Sequence, residues 1–281
     1  MSKACIIGWP VAHSRSPLIH GYWLGKYNIS GSYEKQPVRP EELEAFLRGM
    51  QARGFKGCNV TLPHKEAVFA SAVRKGPAAR AVGAANTLWF EDGELACDNT
   101  DAAGFMSHLA ACAPGFDVGG CGTAAILGAG GAARAIVHAF LSAGVGEVRL
   151  FNRTRARGET VAAFFGPRVK AYAWSELAER VGDAGILVNA TTLGMEGGGG
   201  ELALDVASLS VRCVVADLVY VPLITPLLAA AKARGLSTVD GLGMLLHQAV
   251  PGFEKWFGVR PQVTTELRAL LIADIERRSC S

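Results

Sequence analysis

A glycine-rich segment in the middle of the chain constrains the fold more than any other feature. Residues 124–133 read AAILGAGGAA, an apolar run that passes into an alanine-rich stretch reaching Leu141. This pattern is typical of a strand that turns into a helix through a glycine loop, where backbone N–H groups can bind a pyrophosphate. Such a match also occurs in plain turns. Here the flanking strand and helix patterns favour a Rossmann-like dinucleotide-binding domain.

The end of the next apolar run indicates which dinucleotide is bound. Val148–Phe151 is followed by Asn152 and Arg153, with Arg155 and Arg157 just behind. A site for NAD usually has Asp or Glu at this place to bind the ribose 2′-OH, whereas arginine suits a 2′-phosphate. A lone arginine is often a solvated surface charge, but this one follows the strand after the loop. The sequence therefore predicts NADP(H) as the cofactor and hydride transfer as the chemistry.

Length and charge set the class of protein. The chain has 281 residues, which favours two domains, and its 19% of charged residues is normal for a globular enzyme. The formal net charge of +3 is too small to indicate binding to nucleic acid or to an anionic membrane. It is compatible with a small anionic substrate.

The seven cysteines indicate thiols rather than a disulfide framework. Their number is odd and no pair has C-x-x-C spacing, so we expect buried structural thiols and no metal site. The N-terminus has no signal-peptide pattern, and no apolar stretch reaches membrane-spanning length without interruption. We therefore expect a cytoplasmic protein.

Strand and helix patterns alternate along the chain, which predicts an α/β fold with parallel sheets covered by helices. Ser16 is expected to cap a helix that begins at Pro17. A hairpin is expected across the turn at 91–94. From Leu242 onward the chain has a helical pattern, expected to break near Pro251 and again at 258–261.

Four polar clusters lie at the ends of apolar runs in the first hundred residues, where ligands bind in open α/β sheets. Each also has a structural explanation. Ser14 and Ser16 suit helix caps, Lys65 suits a solvated surface, and Asp101 suits the cap of a helix starting at Ala102. Their order and company favour a binding site.

Taken with the glycine loop, these clusters resemble the motifs of the shikimate dehydrogenase family from Gly8 to about Phe257. Three departures leave the breadth of substrates open: Gly21 and Ala85 replace the usual Asn and Val, and 74–80 lacks acidic residues. The matching segments are 8–17 (GWPVAHSRSP), 59–65 (NVTLPHK), 83–87 (GAANT), 99–101 (NTD), 128–133 (GAGGAA), 152–157 (NRTRAR), 189–195 (NATTLGM), 217–220 (DLVY) and 241–248 (GLGMLLHQ).

The resemblance implies two α/β domains with the active site in the cleft between them. Residues 1–102 and 241–281 would form the substrate-binding catalytic domain, and residues 103–240 the Rossmann-like NADP-binding domain. The implied reaction is the reversible reduction of the C3 ketone of 3-dehydroshikimate to shikimate by NADPH.

The resemblance also implies roles for individual residues. Lys65 and Asp101 would be catalytic, and whether Lys65 acts as general acid or as electrostatic clamp is open. Ser14 and Ser16 would bind the substrate carboxylate. The remaining substrate-binding residues would be Thr61, Asn86, Tyr220 and Gln248, beside the catalytic pair. The cofactor-binding residues would be Gly128, Ala129, Gly130, Gly131, Ala132, Asn152, Arg153, Thr154, Arg157, Thr191, Leu218, Gly241 and Met244. Ordinary core packing is the alternative for Leu218 and Met244.

Two other functions stay open at this point. One is a related dehydrogenase acting on quinate or aminoshikimate, although the Asn152-Arg-Thr turn disfavours an NAD-linked enzyme. The other is a non-catalytic nucleotide-binding sensor, which Lys65 and Asp101 disfavour. The sequence sets no oligomeric state, and a homodimer is compatible with it.

Overall fold

The computed structural model describes residues 2–196, 200, 202 and 204–279. Contacts between residues divide the chain into two compact units. The first combines the chain up to Asp101 with Leu245–Leu271, and the second combines Ala102–Met244 with the residues from Ile272 onward. The division into domains at 102/103 and 240/241 stays a prediction. Among the residues described, no helix has both the length and the apolar character needed to cross a membrane.

Twelve strands form two sheets within these residues. The strands are β1 (Ser2–Gly8), β2 (Gly31–Pro37), β3 (Phe55–Val60), β4 (Arg74–Lys75), β5 (Thr87–Glu91), β6 (Glu94–Asp98), β7 (Thr123–Leu127), β8 (Glu147–Asn152), β9 (Val169–Ala173), β10 (Ile186–Asn189), β11 (Val214–Asp217) and β12 (Thr238–Val239).

Helices alternate with these strands. They are α1 (Ser16–Lys26), α2 (Leu43–Gly49), α3 (Lys65–Ser71), α4 (Pro77–Val82), α5 (Asp101–Cys112), α6 (Gly131–Ser142), α7 (Arg155–Phe165), α8 (Leu177–Arg180), α9 (Pro226–Ala233), α10 (Gly241–Phe257) and α11 (Thr265–Ser279), with short 3₁₀ turns at Pro40–Glu42, Gly119–Cys121, Trp174–Glu176 and Val206–Ser208.

The sheet of the first unit has the order β2-β1-β3-β5-β6-β4. β1 is parallel to β2 and β3, whereas β5 is antiparallel to both β3 and β6. This mixed sheet contains the predicted hairpin, so parallel pairing holds for only part of it. The topology places the carboxyl ends of β1, β3 and β6 and the amino end of β5 at one edge. All four predicted polar clusters adjoin these strand ends.

The sheet of the second unit is entirely parallel, in the order β12-β11-β10-β7-β8-β9. Its central strands are apolar on both faces, as is typical of a parallel sheet covered by helices. Ile126 and Val188 contribute to one apolar core, and Leu127 and Leu187 to another. This arrangement confirms the predicted doubly covered α/β domain, with β7 leading into the glycine loop.

Alternation along β1 shows why the first sheet has two buried faces. Cys5 and Ile7 pack into a core with Val60 and Leu88. Ala4 and Ile6, on the opposite face, pack with residues that include Tyr33 and Trp256. Both faces are therefore covered, which leaves the strand ends as the place for polar side chains.

Three sequence predictions are wrong. Arg15 is the N-cap of α1, Ser16 is its first helical residue, and no side chain caps this helix. Pro251 lies inside α10 without ending it, because Ala249 and Phe253 are fully buried and their packing offsets the lost hydrogen bond. Cys112 is exposed and Cys121 is partly exposed rather than buried, while Cys280 lies outside the described residues.

Candidate active site

Lys65 and Asp101 form an ion pair at the common strand edge of the first unit. Lys65 is the first residue of α3, five residues after β3, and Asp101 is the first residue of α5, three residues after β6. Lys65 Nζ lies 2.5 Å from Asp101 Oδ2, and the two side chains are only 13% and 5% exposed. The topology therefore brings together a cation and an anion that are separated by 36 residues in sequence.

Asn86 holds this carboxylate from the side opposite the lysine. Its Nδ2 donates to Asp101 Oδ1 at 2.8 Å, to Thr100 Oγ1 at 2.9 Å and to Gln248 Oε1 at 3.2 Å. Thr100 in turn donates from its backbone N–H to Asn86 Oδ1 and from its hydroxyl to the carbonyl of Gln248. Four of the predicted residues, Lys65, Asn86, Asp101 and Gln248, thus belong to one buried hydrogen-bonded group.

Two residues outside the predicted set, Asn59 and Tyr33, form a chain of hydrogen bonds that ends at Asn86. Asn59 Nδ2 donates to the carbonyl of Asn86 at 3.2 Å, and Tyr33 donates its hydroxyl hydrogen to Asn59 Oδ1 at 2.7 Å. Tyr33 stacks on His20, with ring centroids 3.9 Å apart. Burial lowers the pKa of His20 to about 3, so its imidazole is neutral. Asn59 stands in the same sequence motif as Lys65, whereas no local signal pointed to Tyr33.

Ser14 and Ser16, predicted to bind the carboxylate, follow β1, and Thr61, predicted to bind another polar group of the substrate, follows the neighbouring strand β3. Ser14 Oγ accepts from the backbone N–H of Ser16 at 3.2 Å, and Ser16 is almost fully buried. Thr61 is half-buried, and its methyl group lies so close to Gly8 that a Cβ there would come within 2.4 Å. None of these three hydroxyls bonds to Lys65 or Asp101 in the part of the chain that the structure describes.

The glycine loop of the second unit has the form that a dinucleotide site requires. Gly128 has φ +106°, which favours glycine, and a Cβ there would lie 3.1 Å from the carbonyl oxygen of Ala190. Gly130 caps α6 and has φ −94°, and a Cβ there would meet no atom within 4 Å. The protein itself would tolerate a side chain at Gly130. Open space in front of a helix N-terminus fits a bound pyrophosphate.

The arginines after β8 differ in their partners. Arg155 Nε donates to Glu159 Oε1 at 2.9 Å, one turn along α7. Arg153 and Arg157 are exposed, and neither forms an ion pair with any described residue. Asn152 Nδ2 donates to the carbonyl of Thr154 at 2.8 Å and shapes the turn between them. Two cations thus stand available beside the strand end where the sequence predicts a 2′-phosphate.

A hydrogen bond between Asn189 and Asp217, called the latch below, joins the loops that follow β10 and β11 at the same edge of the second sheet. Asn189 and Asp217 end β10 and β11 and are paired in register, and Asn189 Nδ2 donates to Asp217 Oδ1 at 2.9 Å. Thr191 donates its hydroxyl hydrogen to Asn189 Oδ1 at 2.7 Å, and the backbone N–H of Leu218 donates to the carbonyl of Asn189. A Cβ on Gly241 would lie 2.4 Å from the carbonyl oxygen of Leu218.

These contacts bring several predicted cofactor residues together. Thr191 lies against Gly128, and Leu218 lies against Gly241, so four loops meet at the carboxyl edge of this sheet. Met244 is buried in the apolar core, with Leu218 packed against that core, which accords with the packing alternative. Tyr220, two residues after Leu218, is half-buried.

Comparison with known proteins gives the same result along the whole chain. Residues 6–88 match the model described as "Shikimate dehydrogenase substrate binding domain", 117–194 the model "Shikimate / quinate 5-dehydrogenase", and 241–271 the model "Shikimate 5'-dehydrogenase C-terminal domain". A curated shikimate dehydrogenase (NADP(+)) from Mesorhizobium japonicum is 56% identical over 97% of this chain and 96% of its own length. The chain belongs to the shikimate dehydrogenase family.

Solved structures of the family agree with this fold. Shikimate 5-dehydrogenase from Thermus thermophilus, in complex with NADP(H) and shikimate, has a TM-score of 0.83 and 37% identity, with 99% of each chain covered. Quinate dehydrogenase from Corynebacterium glutamicum, in complex with NAD, has a TM-score of 0.86 and 27% identity, covering 97% of this chain and all of that one. Both cofactors occur on this fold, so local residues must distinguish them.

The latch predicts a specific pH dependence of stability. Burial raises the pKa of Asp217 from 3.8 to about 6. Hydrogen bonds from Thr225, Val219 and Asn189 favour the charged form and lower the pKa, but burial has the larger effect. Between about pH 4 and 6 the folded state therefore binds more protons than the unfolded state, and this residue lowers stability as the pH rises. The cost reaches roughly 2–3 kcal/mol above pH 6.

Asp217→Asn removes this titration while keeping the shape of the side chain. We expect the unfolding free energy of the variant, relative to the unaltered chain, to rise by roughly 2–3 kcal/mol between pH 4 and pH 7. Urea denaturation at both pH values measures this difference, and Asp117→Asn, which removes a carboxylate outside the latch from the same unit, is the control. A constant offset at both pH values would contradict the assignment.

Proposed function

We propose that the protein catalyses the reversible, NADPH-dependent reduction of 3-dehydroshikimate to shikimate, a step of aromatic amino-acid biosynthesis. The observation that carries this proposal is the nearly buried Lys65–Asp101 pair at the strand edge of the first unit. A paired ammonium beside a cluster of amide groups suits a ketone that must receive a proton as it is reduced. We also propose that the protein is located in the cytoplasm, where free thiols stay reduced.

Lys65 acts on the carbonyl oxygen of the substrate. As an ammonium group it donates a hydrogen bond to that oxygen and either transfers a proton to it or stabilises the developing negative charge. Asp101 fixes the direction of the lysine through its Oδ2, while Asn86 holds the other carboxylate oxygen. The pair therefore enters the reaction with its orientation already set.

The other substrate-binding residues satisfy the hydroxyl and carboxylate groups of the ring. Gln248 and Asn86 present amide groups next to the catalytic pair. Ser14 and Ser16 bind the carboxylate with neutral hydroxyls, and Thr61 and Tyr220 complete the set. Each polar group of the substrate needs such a partner once water is excluded, because an unpaired one costs affinity.

Residues of the second unit bind the cofactor, which supplies the hydride when bound. The first turn of α6 and the loop Gly128–Ala132 hold the pyrophosphate, and Arg153 and Arg157 hold the 2′-phosphate with Asn152 and Thr154. Thr191 and Gly241 flank the nicotinamide end together with Leu218 and Met244, whose side chains also pack in or against the apolar core. The open space at Gly130 supports this assignment, as do Arg153 and Arg157, which form no ion pair with a residue that the structure describes.

A related dehydrogenase acting on quinate or aminoshikimate is the second candidate function. The likeness to the NAD complex of a quinate dehydrogenase makes it a specific alternative. Arg153 and Arg157 favour NADP(H) over NAD, and the 56% identical relative is named for shikimate and NADP(+). That the protein forms a homodimer stays a prediction. Analytical ultracentrifugation tests it by measuring the mass of the protein in solution.

Replacing the catalytic lysine tests the proposed role directly. Lys65→Ala should lower kcat for shikimate oxidation by roughly 100-fold or more, while KM for NADP⁺ changes little. In this direction the variant lacks the group that accepts the proton of the reacting hydroxyl or stabilises the charge on its oxygen. Steady-state kinetics with both substrates varied gives both constants, and circular dichroism checks that the variant is folded. Lys56→Ala, an exposed lysine on β3, is the matched control. A kcat near that of the control would remove Lys65 from the mechanism.

Replacing Arg153 and Arg157 tests the choice of cofactor. Arg153→Ala with Arg157→Ala should raise KM for NADP⁺ by at least tenfold, since each charge-assisted hydrogen bond is worth roughly 1.5–3 kcal/mol, and should change KM for NAD⁺ much less. Arg155→Ala, which removes an arginine already paired with Glu159, controls for charge. Equal losses for both cofactors would show that these arginines do not contact the 2′-phosphate.

A further inference from the structure

Three potential metal ligands converge in the second unit, and the proposed reaction uses none of them. His108 and Cys112 lie one turn apart on α5, and Asp240 lies between β12 and α10. His108 Nε2 is 3.4 Å from Cys112 Sγ and 3.4 Å from Asp240 Oδ1. One ligand atom from each residue lies within 4.8 Å of the other two. We propose that His108, Cys112 and Asp240 form a binding site for a zinc ion.

The distances suit a tetrahedral ion. With Zn–N distances of about 2.0–2.1 Å and Zn–S distances of about 2.3 Å, tetrahedral ligands stand roughly 3.3–3.8 Å apart. Both distances from His108 Nε2 fall in this range, but Cys112 Sγ also lies 3.6 Å from Nδ1 and so faces the ring between its two nitrogens. Contact of one ion with all three side chains therefore requires the exposed Cys112 side chain to rotate toward Nε2. The fourth position is left for water or another small ligand.

The surroundings hold two of the ligands in place. Asp240 Oδ1 accepts hydrogen bonds from the backbone N–H groups of Leu242 at 3.0 Å and Gly243 at 3.4 Å. The imidazole of His108 packs so tightly on Gly243 that a Cβ there would lie 1.9 Å from Nδ1. No residue larger than glycine fits at position 243 beside this ring, and the close contact fixes the orientation of the imidazole. Such supporting contacts orient ligands at metal sites.

The donor set selects the class of ion. A thiolate, an imidazole and a carboxylate together suit zinc and its chemical relatives, whereas magnesium and calcium prefer oxygen ligands alone. Cys112 is exposed, so an ion can reach the cluster from solvent. The bound ion would connect α5 to the start of α10 and would stabilise the folded unit, since the unfolded chain separates its ligands.

The alternative to the proposal is a purely hydrogen-bonded cluster, in which His108 contacts Cys112 and Asp240 directly and no ion binds.

Titration of the EDTA-dialysed protein with zinc chloride and with cobalt(II) chloride tests the proposal. We expect one zinc ion per chain by calorimetry, a rise in Tm, and a thiolate-to-cobalt charge-transfer absorption with Co²⁺. Cys112→Ser should abolish that absorption and weaken zinc binding by roughly 100-fold, because a ligand is lost. Cys121→Ser, which removes a partly exposed thiol of the same unit, should change neither.

Several results would overturn the proposal. They are the absence of stoichiometric zinc binding, a cobalt spectrum without thiolate absorption, and equal spectra in the Cys112→Ser and Cys121→Ser proteins. Asp240→Asn provides a second test, because it keeps the size of the side chain and should weaken zinc binding without abolishing the thiolate absorption. Since Cys112 is exposed, its replacement by serine leaves the apolar core intact, and a folded variant is expected.

Discussion

The structure of the first unit depends on burying a lysine and an aspartate together at the edge of its sheet. Lys65 and Asp101 are 13% and 5% exposed, so neither charge can rely on water. A buried pair often costs as much in desolvation as its attraction returns, whereas removing one partner alone costs several kcal/mol. Stability therefore does not explain why such a pair is present. The proposed reaction, in which Lys65 donates a proton or stabilises the developing charge, gives the pair a role.

The surrounding framework follows from this constraint. Asn86 donates to the second carboxylate oxygen, and Thr100, Gln248 and Asn59 form hydrogen bonds with Asn86, so both the carboxylate of Asp101 and the amide of Asn86 have partners. In the second unit the same logic applies to Asp217, whose three hydrogen bonds hold the ends of two loops. Buried polar networks of this kind fix loop positions because a displaced member would be left unpaired.

Sequence reasoning succeeded where local pattern determines structure. The predicted hairpin at 91–94 joins β5 to β6, and the apolar run and the alanine-rich stretch around the glycine loop form β7 and α6, because each pattern lies beside strong turn signals. It failed at Ser16 and Pro251, where packing overrides local preference. Contacts between distant residues could not be read from spacing. Asn86 and Gln248, for example, are 162 residues apart. The cluster of His108, Cys112 and Asp240 contains no C-x-x-C motif from which a metal site could be predicted.

Initial rates with shikimate and with quinate, each with NADP⁺ and with NAD⁺, test the central claim most directly. We predict the highest kcat/KM for shikimate with NADP⁺, because the substrate cluster suits this ring and Arg153 and Arg157 suit the 2′-phosphate. Either exchange of partner should lower kcat/KM by at least tenfold. No turnover with any pair would contradict the proposed enzyme, and faster reaction of quinate with NAD⁺ would contradict the assignment of both substrate and cofactor.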